Sequence, residues 1–240
     1  MKFFDLHTHI LPCVDDGAQN ITEALEMLRN AVASDVCGVV VTPHCNLSGE
    51  WNSNLTMGLA TQFQMLKHAA ENIQVNLFLG AEVRVTENII SLLKKRELPT
   101  LNNSRYLLLE FEPDFKSDKF IGVLSQIISE GYVPLIAHPE RYNAVCDNPF
   151  IVEDWLNIGC HIQVTGGSIM GDFGKKVKNT ADCLLRNDLV CCVASDAHGT
   201  RVRSNFLSDV YSYISLYYGK HYADILMQIN PQRICNDEVL

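Results

Sequence analysis

Phe3-Phe4-Asp5-Leu6-His7-Thr8-His9 opens the chain with an apolar, aromatic run that ends in two histidines. Such a run favours a β-strand, in which alternate side chains point to the same face. The two imidazoles therefore share a face, and imidazole is the commonest metal ligand in proteins. The stretch predicts a metal clamp at the end of a first strand. Taken alone, it fits one packed and one solvated histidine equally well.

Six further β-prone segments follow, and a helical pattern separates each one from the next. We predict these strands at 38–42, 75–81, 106–109, 133–137, 161–164 and 189–194. We predict helices at 20–35, 55–72, 87–96, 119–130 and 148–157, then from a turn at 165–168 up to residue 186, and from 204 onward. This alternation predicts a parallel sheet, and 240 residues suit a single α/β domain over residues 1–240. A TIM-like barrel competes here with an open doubly wound sheet.

The first helix carries its own start signal. Asn20, followed three residues later by Glu23, resembles a capping box. Leu25, Leu28 and Val32 then form the predicted buried face of this helix.

Composition excludes several classes of protein. A net charge of −9 argues against a nucleic-acid partner, because phosphate backbones bind to basic surfaces. Nine cysteines without CxxC spacing are typical of reduced thiols and not of a disulfide framework. Thiol-based phosphotyrosine hydrolysis uses a cysteine followed six residues later by arginine, and no cysteine here has that partner, which excludes this chemistry. Charged and polar residues interrupt every apolar run before the ~18 residues of a membrane helix, and no signal peptide is recognisable. We expect a cytoplasmic protein without membrane insertion.

Residues of metal-binding type stand at the carboxyl ends of the predicted strands or just beyond them. They are His7, His9, His44, Glu82, Glu110, His138, Asp196 and His198. In a barrel the carboxyl ends of the strands form one rim, where such folds build their active sites. A closed ring would bring these donors to one point, whereas an open sheet would spread them along an edge.

Five histidines and three carboxylates exceed what one ion can use, so we infer two or three divalent metal ions bridged by Glu82 or Glu110. A mixed N/O set without thiolate suits Mn²⁺, Fe or Zn²⁺. Such clusters activate water and clamp the oxygens of a phosphoryl group, which predicts phosphoester hydrolysis. A phosphate also needs a counter-charge, and Arg141 with Arg201 or Arg203 could supply it, since guanidinium groups match phosphate bidentately.

The motifs, in chain order, resemble a known superfamily. They are Phe4-Asp5-Leu6-His7-Thr8-His9-Ile10-Leu11-Pro12, Asp15-Asp16-Gly17-Ala18, Thr42-Pro43-His44, Gly80-Ala81-Glu82, His138-Pro139-Glu140-Arg141-Tyr142, Gly167-Ser168 with Phe173-Gly174-Lys175-Lys176, and Ala194-Ser195-Asp196-Ala197-His198. This set, running from about residue 3 to 206, resembles the PHP (polymerase and histidinol phosphatase) superfamily. More closely, it is similar to the bacterial manganese-dependent protein-tyrosine phosphatases of capsule and exopolysaccharide gene clusters.

The resemblance implies a distorted TIM-like (β/α)₇ barrel with three metals, most often manganese. It assigns their ligands as His7, His9, Glu82 and Asp196; Glu82, Glu110 and His138; and Asp16, His44 and His198. It also implies that Arg141 and Arg203 bind phosphate, and that the substrate is phosphotyrosine in the C-terminal tail of a bacterial tyrosine kinase. It selects Asp16 over Asp15 by motif alone.

The chain departs from the family pattern at two positions. Cys45 stands where relatives commonly have a second histidine, which would change the surroundings of the site or add a soft ligand. Gly199 replaces the usual asparagine after the SDAH motif, which leaves the choice between Arg201 and Arg203 open.

Two other functions stay open at this stage. One is a small-molecule phosphatase acting on a metabolite such as histidinol phosphate, and the other is a metal-stabilised scaffold that binds a kinase tail without cleaving it. The sequence leaves the oligomeric state open. We assign His68, His161 and His221 no part in the site, because two lie in predicted helices and His161 begins a strand.

Overall fold

The computed structural model describes residues 2–114, 117–201, 203–204 and 206–240, with side chains from 120 onward in the helix that begins at 117. The strands are β1 Phe3–Thr8, β2 Val36–Val41, β3 His44–Cys45, β4 Asn76–Leu79, β5 Glu82–Arg84, β6 Tyr106–Glu110, β7 Val133–Ala137, β8 His161–Thr165 and β9 Cys192–Ala194. The helices are α1 Ile21–Ala33, α2 Ser53–Ala69, α3 Ile89–Lys94, α4 Ser117–Ser129, α5 Asn143–Asp147, α6 Val152–Asn157, α7 Gly166–Met170, α8 Lys175–Arg186, α9 Leu207–Tyr217, α10 Lys220–Asp224 and α11 Asn230–Cys235.

All the strand pairs are parallel and fall into two sheets, β1-β2-β4 and β3-β5-β6-β7-β8-β9. Only Thr42-Pro43 separates β2 from β3, and only Gly80-Ala81 separates β4 from β5. Backbone hydrogen bonds continue across both interruptions, since the amide of Gly80 donates to Val41 and that of Glu82 donates to Pro43. Each of these pairs of short strands therefore occupies one position, and the sheets together have seven strand positions.

The two ends of this series meet. A parallel bridge joins Thr8 to Ala197, just beyond β9. The amide of Asp196 donates to the carbonyl of His7 at 2.9 Å, and the amide of His9 donates to the carbonyl of Ala197 at 2.8 Å. These bonds close the sheet into a distorted (β/α)₇ barrel, as predicted, and the open doubly wound alternative is wrong.

Alternation along the strands produces two apolar layers. In β6, Leu107 and Leu109 pack with the helices, whereas Leu108 belongs to a second cluster. This second cluster draws on β1, β2, β6, β7 and β9, with Leu6 and Leu135 among its members, so it fills the barrel interior. The carboxyl-end rim lies above this apolar floor.

Local signals explain the first helix only in part. Asn20 caps α1 by accepting a hydrogen bond from the amide of Glu23, as predicted. Leu28 is buried, but Leu25 and Val32 are only half-buried, so the predicted face was wrong at those two positions. Smaller residues such as Ala24 and Ala31 form the buried stripe, because the helix packs closely against the barrel.

Several element boundaries differ from the prediction, by one to three residues at most strand and helix ends and by more at three places. The segment 148–157 is not one helix, because the side chain of Asn148 starts a 3₁₀ turn at Pro149–Ile151 before α6. The predicted turn at 165–168 is the end of β8 and the beginning of α7, and the N-cap residue Thr165 donates its amide to the buried carboxylate of Glu140. The last strand begins at Cys192 and not at 189. The carbonyl of Cys191, the residue before this strand, accepts a hydrogen bond from the side chain of Asn230.

In the described part of the chain, each helix is too short or too polar to cross a membrane.

Two glycines allow a matched test of barrel packing. A Cβ at Gly80 would lie 2.9 Å from methyl groups of both Val40 and Leu101, whereas one at Gly58, on α2, meets no described atom within 4 Å. We expect Gly80→Ala to lower the free energy of unfolding by about 1–3 kcal/mol through overpacking. Gly58→Ala should raise it by roughly 0.5–1 kcal/mol, because alanine favours a helix. Urea unfolding of both variants measures this, and equal stabilities would contradict the packing described here.

Candidate metal centre

The nine residues that the sequence and its resemblance suggest as metal ligands form one connected cluster at the rim. Within it, every member has a ring nitrogen or carboxylate oxygen within 4.0 Å of another member. The members are His7, His9, Asp16, His44, Glu82, Glu110, His138, Asp196 and His198. Their convergence follows from closure of the barrel, because the strands that carry them are far apart in sequence.

Hydrogen bonds at Nδ1, on the side away from the cluster, fix the orientation of the His7 and His9 rings. The Nδ1 of His7 donates to the side-chain oxygen of Gln163 at 2.9 Å, and the Nδ1 of His9 donates to Asp15 at 2.8 Å. Each Nε2 therefore carries a lone pair in the neutral ring. These two Nε2 atoms lie 3.2 Å apart, both buried. Two facing lone pairs repel each other. Burial lowers the pKa of both rings, but the carboxylates around them raise it, that of His9 well above its usual range, so the cluster attracts a proton or a metal cation.

Glu82 occupies the centre of the cluster. Its Oε2 lies 3.2 Å, 3.3 Å and 3.1 Å from ring nitrogens of His7, His9 and His44, and its Oε1 lies 2.7 Å from His138. Among the described residues, this buried Oε2 has no partner with hydrogen-bond geometry. A carboxylate oxygen surrounded by imidazoles that do not donate to it has the arrangement of a bridging ligand.

Asp15 and Asp16 have different positions. Asp15 accepts from His9 and from the amide of His44, so it supports two ligands from behind. Asp16 extends to the other side, where its Oδ1 lies 3.4 Å from the Nε2 of both His44 and His198. The geometry therefore agrees with Asp16, and not Asp15, as the residue that faces an ion.

Glu110 has a partner that sequence reasoning missed. The Nε and Nη2 of Arg84 approach its Oε2 at 2.9 Å and 2.8 Å. On its other side, Glu110 comes only within 4.0 Å of His44. The spacing of ligand-type residues gave no signal for Arg84, because arginine is not a metal ligand.

Three groups of donors could each hold an ion, with all their ligand atoms within 4.8 Å of one another. They are His9, Asp16, His44 and His198; His7, His9 and Glu82; and His44, Glu82 and Glu110. The groups share His9, His44 and Glu82, so the ions they hold would be neighbours. In the third group His44 takes the place that the resemblance gives to His138. The donors present fit divalent ions that accept nitrogen and oxygen ligands.

The charges of the site agree with this assignment. Burial by itself raises the pKa of Glu82, but the surrounding imidazoles, His7 first, hold it well below its usual range. Burial and the charge of His9 lower the pKa of His198 to about 4, so its ring is neutral near pH 7. Its Nδ1 donates to the carbonyl of Asp196, which leaves the Nε2 lone pair free to bind a cation.

Asp196 joins the ligand cluster to two arginines. Its Oδ1 lies 3.3 Å from the Nε2 of His7, while its Oδ2 accepts from Arg141 at 2.6 Å and from Arg203 at 2.7 Å. Arg201 is exposed. The geometry therefore brings Arg203 to the site beside Arg141.

Both guanidinium groups keep donors for a further partner. Within the described residues, the Nε and Nη2 of Arg141 and the Nε of Arg203 are buried without an acceptor. Leaving a buried charged donor unpaired is costly, so an anion at this position would be stabilised. The ring of Phe173 lies 3.9 Å from the guanidinium carbon of Arg141 and restricts its orientation.

The remaining residues singled out from the sequence lie elsewhere. Cys45 is buried in the apolar core, and burial strongly raises the pKa of its thiol, which disfavours the thiolate that a metal ligand requires. His68 is exposed and pairs with Glu71, His221 is exposed, and His161 begins β8 at the opposite end of the strands, as expected.

The family model for capsular polysaccharide synthesis, CpsB/CapC, matches residues 3–236. Tyrosine-protein phosphatase YwqE of Bacillus subtilis is 34% identical over 200 residues, covering 83% of this chain and 79% of its own. Tyrosine-protein phosphatase CpsB of Streptococcus agalactiae serotype V is 31% identical over 243 residues, covering 98% and 99%. A solved structure also matches this chain. It comes from a study of YwqE from Bacillus subtilis and CpsB from Streptococcus pneumoniae, described as metal-dependent tyrosine phosphatases. The match has a TM-score of 0.91 and 29% identity, and it covers 100% of this chain and 96% of the other.

Gln163 offers a test of the tautomer argument. Gln163→Leu removes the acceptor that directs the Nε2 of His7 toward the cluster, and loss of such support typically costs about 10- to 100-fold in metal affinity. We expect a loss of this size for Mn²⁺, measured by competition with a chelator. Gln163→Glu keeps an acceptor and should retain tighter binding than the leucine variant. Unchanged affinity in Gln163→Leu would show that the rear hydrogen bond does not control His7.

Proposed function

Because this chain belongs to the CpsB/CapC family of capsular polysaccharide synthesis, we propose that it is a metal-dependent phosphatase that hydrolyses phosphotyrosine in a protein. Its relatives YwqE and CpsB are named tyrosine-protein phosphatases, and the matching crystal structures are described as metal-dependent. We include residues 1–240 in one phosphatase domain of PHP type.

One observation carries the proposal. Asp196 presents one oxygen to the imidazole cluster and the other to Arg141 and Arg203, whose buried donors lack an acceptor among the described residues. A cation site and an anion site therefore share a carboxylate. Phosphate monoesters need this combination, since metals and guanidinium groups both stabilise charge on the phosphoryl oxygens.

We propose three overlapping ion sites that follow the family pattern. Their ligands would be His7, His9, Glu82 and Asp196; Glu82, Glu110 and His138; and Asp16, His44 and His198. Glu82 would bridge the first two sites, in keeping with its central place among the imidazoles. We propose two or three ions, with Mn²⁺ first and Fe or Zn²⁺ as alternatives.

When bound, these ions would lower the pKa of a water molecule they hold to near neutrality, and they would neutralise charge on the phosphoryl oxygens. The protein supplies the orientation of the reacting groups. Arg141 and Arg203 would donate to the phosphate from the side of Asp196, which holds both guanidinium groups in place. Phe173 limits the rotation of Arg141, so the unpaired donors stay directed at one position.

We further propose that the protein is cytoplasmic and that its substrate is phosphotyrosine in the C-terminal tail of a bacterial tyrosine kinase that controls capsule polysaccharide synthesis. The side chain of Asp16, at the edge of the cluster, is 65% exposed, so solvent reaches the cluster from this side. A comparison of a phosphotyrosyl peptide with histidinol phosphate, in the presence of Mn²⁺ and of a chelator, tests the substrate class. Faster hydrolysis of histidinol phosphate would favour a small-molecule phosphatase, and binding without hydrolysis would favour a scaffold.

His138→Ala should remove metal and lower kcat by several orders of magnitude, because the imidazole contacts the central Glu82 at 2.7 Å. Metal content and turnover of a phosphotyrosyl peptide are the measurements. His68→Ala, at an exposed histidine, is the matched control and should retain both. Wild-type turnover in His138→Ala would contradict its role as a ligand.

Arg141→Ala should weaken substrate binding and turnover while metal content stays unchanged. A lost charge-assisted hydrogen bond costs about 1.5–3 kcal/mol, which corresponds to roughly 10- to 150-fold in kcat/KM. Arg201→Ala is the control, since this neighbouring arginine is exposed, and its kcat/KM should change little. Loss of metal in Arg141→Ala would instead indicate a structural role.

A further inference from the structure

A cavity of about 170 Å³ lies between α7 and α9, beside the proposed phosphate position. Its lining includes Arg203 and Ser195, the residue before Asp196. It also includes Phe173, whose ring packs on the guanidinium group of Arg141. The cavity thus adjoins both arginines and extends away from the imidazole cluster.

The lining is mixed, with apolar side chains beside the charged and polar ones. Met170, Phe173, Phe206 and Val210 contribute to its wall, and Met170 and Phe206 are 40% and 46% exposed. An apolar cavity of about 150 Å³ is large enough to bind benzene. The volume and the aromatic lining therefore suit one six-membered aromatic ring.

The charged residues of the lining favour one orientation of a bound aryl phosphate. Among the described residues Arg203 is the one cationic residue in its lining, and it lies next to Asp196. Asp172 and Asp209, both exposed, line it as well. Carboxylates disfavour a second phosphate there, so an aryl phosphate would place its anionic group at Arg203 and its neutral ring in the cavity.

Gly167 keeps part of this space open. A Cβ at this position would lie 3.0 Å from a carboxylate oxygen of Asp172 and 3.1 Å from the ring of Phe173. Any side chain here would push against the cavity wall.

Resting on the proposed function, we propose that this cavity binds the phenol ring of the phosphotyrosyl substrate, with Phe206 as a specificity-determining residue. The subsite makes the enzyme selective for aryl over alkyl phosphates. It acts through contact with the ring and not through the metal site.

The test uses two competitive inhibitors of the manganese-loaded enzyme, phenylphosphonate and methylphosphonate, which share an anionic group and differ in the ring. Hydrolysis of a phosphotyrosyl peptide is the assay. In the wild type we expect phenylphosphonate to have the lower inhibition constant. Phe206→Ala should raise the inhibition constant of phenylphosphonate by about tenfold and leave that of methylphosphonate unchanged, because only the ring loses a contact.

Phe150→Ala is the matched control, since Phe150 is also 46% exposed but is not part of the cavity lining. It should change neither inhibition constant. Gly167→Ala presses on Phe173, which also orients Arg141, so it should raise the inhibition constants of both phosphonates, and that of phenylphosphonate more. If the melting temperatures of Phe206→Ala and Gly167→Ala equal that of Phe150→Ala, both cavity variants are folded.

Equal inhibition constants for the two phosphonates in the wild type, or equal losses for both in Phe206→Ala, would overturn the ring subsite while the proposed phosphatase stands. Failure of the wild type to hydrolyse the phosphotyrosyl peptide with Mn²⁺ would overturn the proposed function and the subsite with it.

Discussion

The site depends on the mutual repulsion of donor atoms that the barrel forces together. The Nε2 atoms of His7 and His9 face each other at 3.2 Å, and the Oε2 of Glu82 lies 3.2–3.3 Å from both. Hydrogen bonds from behind prevent the rings from turning away. All three side chains are buried, so water cannot screen the lone pairs. A metal cation bound between these donors would relieve the repulsion.

Asp196 connects the cation chemistry to the anion chemistry. Burial alone raises the pKa of this carboxyl group, but His7, His9 and Arg141 hold it well below its usual range. It therefore stays ionised and fixes two guanidinium groups at one edge of the imidazole cluster. Its backbone has a positive φ of 54°, a conformation that is uncommon outside glycine and is often found at functional sites. The amide of the same residue closes the barrel by donating to His7, so closure and site assembly depend on one short segment.

Sequence reasoning succeeded where the signal was local. The alternation of strands and helices predicted a parallel sheet, and the position of histidines at strand ends indicated where its site lies. The (β/α)₇ barrel itself was implied by the resemblance of the motifs to a known superfamily. Sequence reasoning failed where tertiary contacts set the boundary. The helix predicted at 148–157 begins only at Val152, after a 3₁₀ turn that Asn148 starts, and the last strand begins at Cys192, after a residue whose carbonyl accepts from Asn230. Arg84 and Gln163 were missed, because their importance comes only from the ligands they contact.

By itself, the sequence determined the class of fold, the donor types of the site and the exclusion of thiol chemistry, since each follows from residue identity and spacing. The motif resemblance selected Asp16 over Asp15, but only the tertiary structure gave the physical difference between them and brought Arg203 rather than Arg201 beside Asp196. The physical reason is the same in both cases. The sequence does not show which of two neighbouring loop residues faces a site. Only the closed barrel fixes which side chain points at the metal-ligand cluster and which one accepts hydrogen bonds from the ligands on their far side.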